Sequence, residues 1–180
     1  MKINTLTIIS ILCCLFYSCK QPIARKPVSQ KSGSYIKQSI ERNQQLKEEE
    51  EKYILKLIEK DTASSYIKSG NGFWYKYISK DSISNPKPVF GDVVNFDYNL
   101  KYINGNIIYS KEELKNQTYV VDKGVLFYGL REAIKLLQTG EVASFIFPSQ
   151  HAYGYYGDEK KIGPNVPVIS EVTVNSISKN

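Results

Sequence analysis

Thiols and imidazoles are nearly missing from this chain of 180 residues. Its three cysteines, Cys13, Cys14 and Cys19, all lie near the N-terminus, and His151 is the only histidine. From residue 20 onward there is no pair of thiols to close a disulfide and no His/Cys set to hold zinc. Nucleophilic catalysis by a cysteine–histidine pair is excluded there on the same count. Methionine and tryptophan occur once each while tyrosine occurs 14 times, so a pocket here is built from rings and branched aliphatics. The first 40 residues contain no acid. Lys2, Lys20, Arg25, Lys26, Lys31 and Lys37 lie in that stretch and make up the whole formal charge of +6, leaving 18 basic against 18 acidic residues beyond it. A basic leader on a neutral body gives no footprint for nucleic acid. Hydrophobic residues make up 42% of the chain, enough for a globular core rather than a disordered chain.

The leader reads MKINTLTIISILCCLFYSC. Lys2 precedes a mostly apolar run from Ile3 to Tyr17, too short to span a bilayer as a stable helix. Ser18-Cys19 closes the run, and this order resembles a bacterial lipoprotein signal, in which the cysteine is acylated and becomes the mature N-terminus. Phe16 departs from the usual leucine of that pattern. The other reading is an ordinary signal peptide with incidental cysteines. On the lipoprotein reading, residues 1–18 are the signal peptide and Cys19 is the lipid anchor, holding the protein on a membrane of the cell envelope, facing the periplasm. Residues 19–38 form a basic tether, which either adds attraction to anionic head groups or is simply solvated.

Further along, the period is helical from Ser39 to Lys60, within a helical segment assigned to 39–68. Leu46, Tyr53, Ile54, Leu57 and Ile58 fall near one face and the run Glu48–Glu51 on the wet one. Such a helix docks on the domain or pairs with a second copy. After Asn71-Gly72 the period becomes two. Strands are expected at 73–79, 92–103, 118–121, 141–147 and 166–177, with Asn104-Gly105 as a hairpin turn. A short helix at 129–137 carries Leu130, Ala133, Ile134 and Leu137 at helical spacing, a stripe suited to an antiparallel sheet. Ser170 is a hydroxyl on the otherwise apolar face of the last strand.

The run "YGLREAIKLLQTGEVASFIFPSQHAYGYYG…IGPNVPV", following a strand and an NG hairpin, resembles the FKBP-type peptidyl-prolyl cis-trans isomerase domain over 72–178. With its leader, the whole chain resembles the FKBP-type lipoproteins associated with gliding motility. The resemblance implies an α+β fold: an FKBP-like half-wrapped antiparallel β-sheet around a short helix, preceded by an N-terminal amphipathic helix. It implies a pocket lined by Tyr98, Ile108, Tyr109, Leu126, Phe127, Leu130, Tyr153, Ile162 and Ser170, with Leu130 as the floor. The Phe127 N–H and the Tyr153 hydroxyl would donate to a substrate carbonyl, and Tyr155 and Tyr156 would form an outer rim. No cofactor and no metal are implied. The partners are proline-containing polypeptide segments, the membrane through acylated Cys19, and motility or secretion proteins.

Three positions depart from the family pattern. Tyr109 stands where an aspartate is usual, Leu130 replaces a large indole, and Ser170 replaces an aromatic, widening and wetting the wall. Tyr109 either restores a polar contact through its hydroxyl or fills the space left at Ser170. Two functions are therefore open at the level of sequence. One is a membrane-anchored prolyl isomerase assisting exported or surface proteins; the other is a catalytically weak or inactive binding module on the same fold, within a motility or secretion machinery.

Overall fold

A strand that alternates as residues 92–103 do must turn every second side chain into a core. In the computed structural model, which describes residues 32–82 and 85–179, Val94, Phe96, Tyr98 and Leu100 are all buried. The described strands are β1 (Ile67–Lys68), β2 (Trp74–Ser79), β3 (Val93–Tyr98), β4 (Leu100–Tyr102), β5 (Ile107–Tyr109), β6 (Gln117–Val120), β7 (Val142–Phe147) and β8 (Val168–Ser178). They form one antiparallel sheet in the order β1-β2-β7-β8-β3-β6, with β4 paired to β5 and to β8. The helices are α1 (Ser32–Lys60), α2 (Lys111–Leu114) and α3 (Tyr128–Ile134). The expected signal peptide, residues 1–18, and Cys19 lie outside the described residues.

The strand expected over 92–103 is broken at Asn99. Its side-chain oxygen accepts the Glu171 N–H (3.0 Å), and its backbone carbonyl accepts the Ser170 hydroxyl (2.7 Å). Two side chains thus carry bonds that a regular ladder would carry through its backbone. Ser170 is completely buried, so this bond satisfies a hydroxyl that would otherwise be costly on an apolar face.

One face of the sheet presents Phe73, Phe145, Phe147, Val172 and Phe96, and α3 lays Leu130, Ala133 and Ile134 on it. The helix is shorter than the 129–137 expected. Leu136 and Leu137 bond back three residues, to Ala133 and Ile134, which tightens the end of the helix while keeping Leu137 buried.

The opposite face carries Trp74 and Ile146, buried by Ile54 of α1, with Leu57, Ile58 and Ile169 beside them. This docked face differs from the expected one: Leu46 and Tyr53 are exposed. Glu50, Ile54, Leu57 and Ile58, at spacings of four, seven and eight, share one side of the helix. The helix begins at Ser32, inside the expected tether, where Tyr35, Ile36 and Ile40 are exposed. Good helix-forming residues such as Gln, Lys and Glu sustain α1 where it has no periodic apolar stripe. It stops at Lys60, where the helical period of the sequence ends, so the rest of the 39–68 segment is not helix. Asp61 then accepts from Lys76 Nζ of β2 (2.7 Å) and from the Tyr66 hydroxyl (3.1 Å), turning the chain toward β1. From Arg42 onward the chain forms one compact unit. No helix among the described residues is long and apolar enough to cross a membrane.

Candidate functional site

The nine predicted pocket residues come from five separate segments, and the fold brings them to one side of the sheet. Tyr98 ends β3, and Ile108 and Tyr109 end β5. Leu126 and Phe127 lead into α3, which supplies Leu130. Tyr153 and Ile162 follow β7, and Ser170 lies on β8. Tyr98, Ile108, Leu130 and Ile162 are buried in the main core, and Tyr109, Leu126, Phe127 and Tyr153 pack against it part-exposed. Leu130 and Ser170 have no exposed surface. The accessible part of the site is therefore a rim of Tyr109, Leu126, Phe127 and Tyr153 over a closed base. Rings dominate it: Phe127 lies 5.2 Å from Tyr153 and 5.3 Å from Phe147.

Several polar groups here have no hydrogen-bond partner among the described residues, and three of them bear on the chemistry. The first is the Phe127 N–H; the carbonyl of the same residue is fixed by the amides of Leu130 (3.1 Å) and Arg131 (3.2 Å). The others are the hydroxyls of Tyr98 and Tyr153. Burial pushes both phenols above the usual tyrosine range, and for Tyr153 the nearby oxygens of Tyr98, Asp158 and Tyr109 push further the same way. Both hydroxyls are thus neutral donors at any pH below about 10.

Tyr109 is the exception, because its hydroxyl donates to Asp158. Burial and then Asp158 push this phenol up to about 12. The Asp158 carboxyl also feels burial, which raises it, but hydrogen bonds from Tyr109 and the loop amides outweigh that and hold it below its usual range. Its carboxylate accepts the N–H groups of Lys160 (2.9 Å) and Ile162 (2.7 Å). A carboxylate therefore reaches the rim from the 157–162 loop, next to the tyrosine that occupies the usual aspartate position. The adjacent Lys161 places its ammonium 4.6 Å from the centre of the Tyr109 ring. Neither Asp158 nor Lys161 was among the predicted site residues. The signal available was an acid directly after the YGYYG run.

Gly157 makes this loop possible. It has φ +71, and a Cβ there would lie 2.1 Å from the Ile162 carbonyl oxygen. Gly157→Ala should cost about 2–5 kcal/mol, combining left-handed strain with a backbone overlap, read as a lower urea midpoint. An unchanged midpoint would mean that this loop does not adopt the conformation described.

His151 takes no part in the rim. It is half-buried with its ring 5.5 Å from that of Tyr128, and burial followed by Lys47 lowers its pKa. Tyr155 and Tyr156 are 60% and 80% exposed, as an outer rim requires. Among the described residues no group of three or more His, Cys, Asp or Glu side chains could hold a metal ion. A cavity of about 720 Å³ lies on the other side of the 148–155 loop, lined in part by Glu50, Trp74, Tyr128 and His151, and shares none of the nine residues.

The sequence pattern of FKBP-type peptidyl-prolyl cis-trans isomerases matches residues 84–175. The chain belongs to this family. It is 29% identical over 109 residues to the peptidyl-prolyl cis-trans isomerase Mip of Coxiella burnetii, covering 61% of this chain and 46% of that protein. It is 26% identical over 121 residues to the probable FKBP-type isomerase FkpA of Neisseria meningitidis, covering 67% and 43%. The chain thus matches less than half the length of either relative. The crystal structure of a peptidyl-prolyl cis-trans isomerase from Pseudomonas syringae superposes with a TM-score of 0.60 at 20% identity, covering 76% of this chain and 96% of that one. That likeness establishes the FKBP-like fold: an antiparallel sheet with a short helix on one face, joined here by α1 on the other.

Proposed function

We propose that the protein is a membrane-anchored peptidyl-prolyl cis-trans isomerase that turns X-Pro bonds in exported or surface proteins, gliding-motility components among them. The observation that carries this reading is the set of three uncommitted donors, the Phe127 N–H and the Tyr98 and Tyr153 hydroxyls, around an aromatic rim. Rotation about a peptide bond loses amide resonance, with a barrier of about 18–20 kcal/mol. No proton moves and no covalent bond breaks, so the reaction needs neither a general base nor a nucleophile. A twisted amide is less polar than a planar one, so an apolar, water-poor surface favours it. Fixed donors that hold the flanking carbonyls add stabilisation that grows as the amide twists. Phe127 is suited to this because its backbone is already held by α3.

The family match supports the isomerase activity, and the leader with Cys19 is what supports the anchored form. Cys19→Ser in the full chain should release the protein from the membrane fraction, and unchanged membrane association would remove the anchor from the proposal. For the catalytic reading, the test is the isomerisation rate of a short X-Pro peptide with the full chain in detergent, expected well above the rate in detergent alone.

One observation favours a second reading. Leu130 and Ser170 are sealed, and Tyr109 is already paired with Asp158, so the base of the site is less open than the rim. A protein that binds an X-Pro peptide yet leaves its isomerisation at the buffer rate would be a binding module on this fold.

A further inference from the structure

Tyr153 sits in a run of turns that follows β7, and the amides on either side of it share one acceptor. The Ser149 carbonyl accepts the amides of Gly154 (2.8 Å) and Ala152 (3.0 Å), which flank Tyr153, the Ala152 amide being shared with the Pro148 carbonyl (3.1 Å). Ser149 is itself gripped from α1, 99 positions earlier in the chain. The carboxylate of Glu50 accepts both the Ser149 N–H and the Ser149 hydroxyl, the latter at 2.8 Å. A single glutamate therefore holds the residue whose carbonyl holds both neighbours of Tyr153.

What lies behind the loop makes this grip matter. The space between α1 and residues 148–155 is the cavity of about 720 Å³, bordered by Glu50, Ser149, His151, Gly154 and Tyr155. On its α1 side the loop borders this open space, while Ala152 and Tyr153 pack on the main core and His151 on Tyr128. Among the described residues, the hydrogen bonds that cross from α1 to the loop are those of Glu50 to Ser149. Glu50 is directed there by the docking of its own helix, since Ile54, one turn further, is completely buried against Trp74 and Ile146.

We propose that Glu50 is a positioning residue for Tyr153: α1 belongs to the working site, and Glu50 sets the phenol through Ser149. The functional half of this inference rests on the isomerase reading; the structural half does not. Burial raises the Glu50 carboxyl despite the two bonds from Ser149, so the ionised form is held at some cost. An amide of the same shape keeps an acceptor for Ser149 without that cost.

The test compares Glu50→Ala, Glu50→Gln and the exposed control Glu59→Ala in the full chain, by amide hydrogen exchange and by X-Pro isomerisation. Glu50→Ala should speed exchange at Ala152 and Gly154 by about tenfold or more while leaving the remote Gly140 amide, bonded to Val174 at 2.8 Å, unchanged. It should lower kcat/KM by no more than Tyr153→Phe does, about 3- to 10-fold, with Glu50→Gln restoring both readouts toward wild type. Glu50→Ala combined with Tyr153→Phe should be no slower than Tyr153→Phe alone, because the two act through the same phenol. Unchanged exchange at Ala152 and Gly154, or a rise shared equally by Gly140, would overturn the proposal, as would full additivity in the double variant. An inactive wild type would sink the isomerase reading alone, and the exchange measurement would still decide whether Glu50 holds the loop.

Discussion

Tyr153→Phe is expected to lower kcat/KM for an X-Pro peptide by about 3- to 10-fold, the equivalent of one net hydrogen bond, with little change in stability. The Tyr153 hydroxyl has no partner among the described residues, so removing it leaves no buried group orphaned. The ring, by contrast, packs 5.2 Å from that of Phe127 and is retained by phenylalanine. Tyr153→Ala removes both, and the loss should grow to roughly 10- to 100-fold as Phe127 loses a wall and the reacting segment loses its alignment. If Tyr153→Phe matched wild type while Tyr153→Ala was inactive, the ring alone would matter and the donor role would fall.

Phe147→Ala is expected to give the largest loss of stability. Phe147 is completely buried, with ring centres 5.3 Å from Phe73, 5.7 Å from Phe145 and 5.3 Å from Phe127. It also closes the sheet against α3, because a Cβ at Gly129 would lie 2.5 Å from its ring. Truncating such a residue removes its transfer free energy and leaves a cavity, about 3–5 kcal/mol together. Against a typical total of about 5–15 kcal/mol for a domain, this is a large fraction, and the denaturant midpoint should fall accordingly. Because Phe127 leans on this ring, the variant should bind an X-Pro peptide more weakly even at temperatures where it remains folded. An unfolding free energy within about 1 kcal/mol of wild type would show that the core does not pass through Phe147.

These expectations rest on features that differ in how far the sequence discloses them. Strands β3 and β8 are visible because apolar residues recur at every second position but for Ser170, β7 because it is a short apolar run, and α3 because Leu130, Ala133 and Ile134 keep a helical period. All nine pocket residues on one side of the sheet follow from those elements once the family pattern fixes their order. The bonds that hold the site are of another kind. Asn99 interrupts a strand that reads as continuous, because the bonds of its side chain and backbone carbonyl go to Glu171 and Ser170 on a strand some 70 residues away. The docked side of α1 is set by Ile54 meeting the outer face of the sheet and Glu50 meeting Ser149 of the loop after β7, and the neighbouring Tyr53 offers an equally apolar residue to any periodic count. Asp158 finds Tyr109 across 49 positions. Local pattern carries no record of such pairings, since each depends on a register set elsewhere in the chain.

The same distinction applies to the two departures that cast doubt on activity. Ser170 was expected to wet the wall, yet its hydroxyl is bound to the Asn99 carbonyl and has no exposed surface. Tyr109 was expected to remove a carboxylate from the site, yet it brings one in through Asp158. Both substitutions are thus accommodated within the fold by a specific partner. What differs at the base is Leu130, whose complete burial leaves the rim to make first contact with a proline ring.

The most direct test of this account is two-dimensional NMR exchange spectroscopy on a short X-Pro peptide mixed with the isotopically labelled full chain in detergent. Acceleration of cis–trans exchange by the wild-type protein, with the Phe127 amide among the signals that shift most on peptide addition, is the expected result. Exchange at the rate of the free peptide, or a peptide that shifts other signals and leaves Phe127 unmoved, would contradict it.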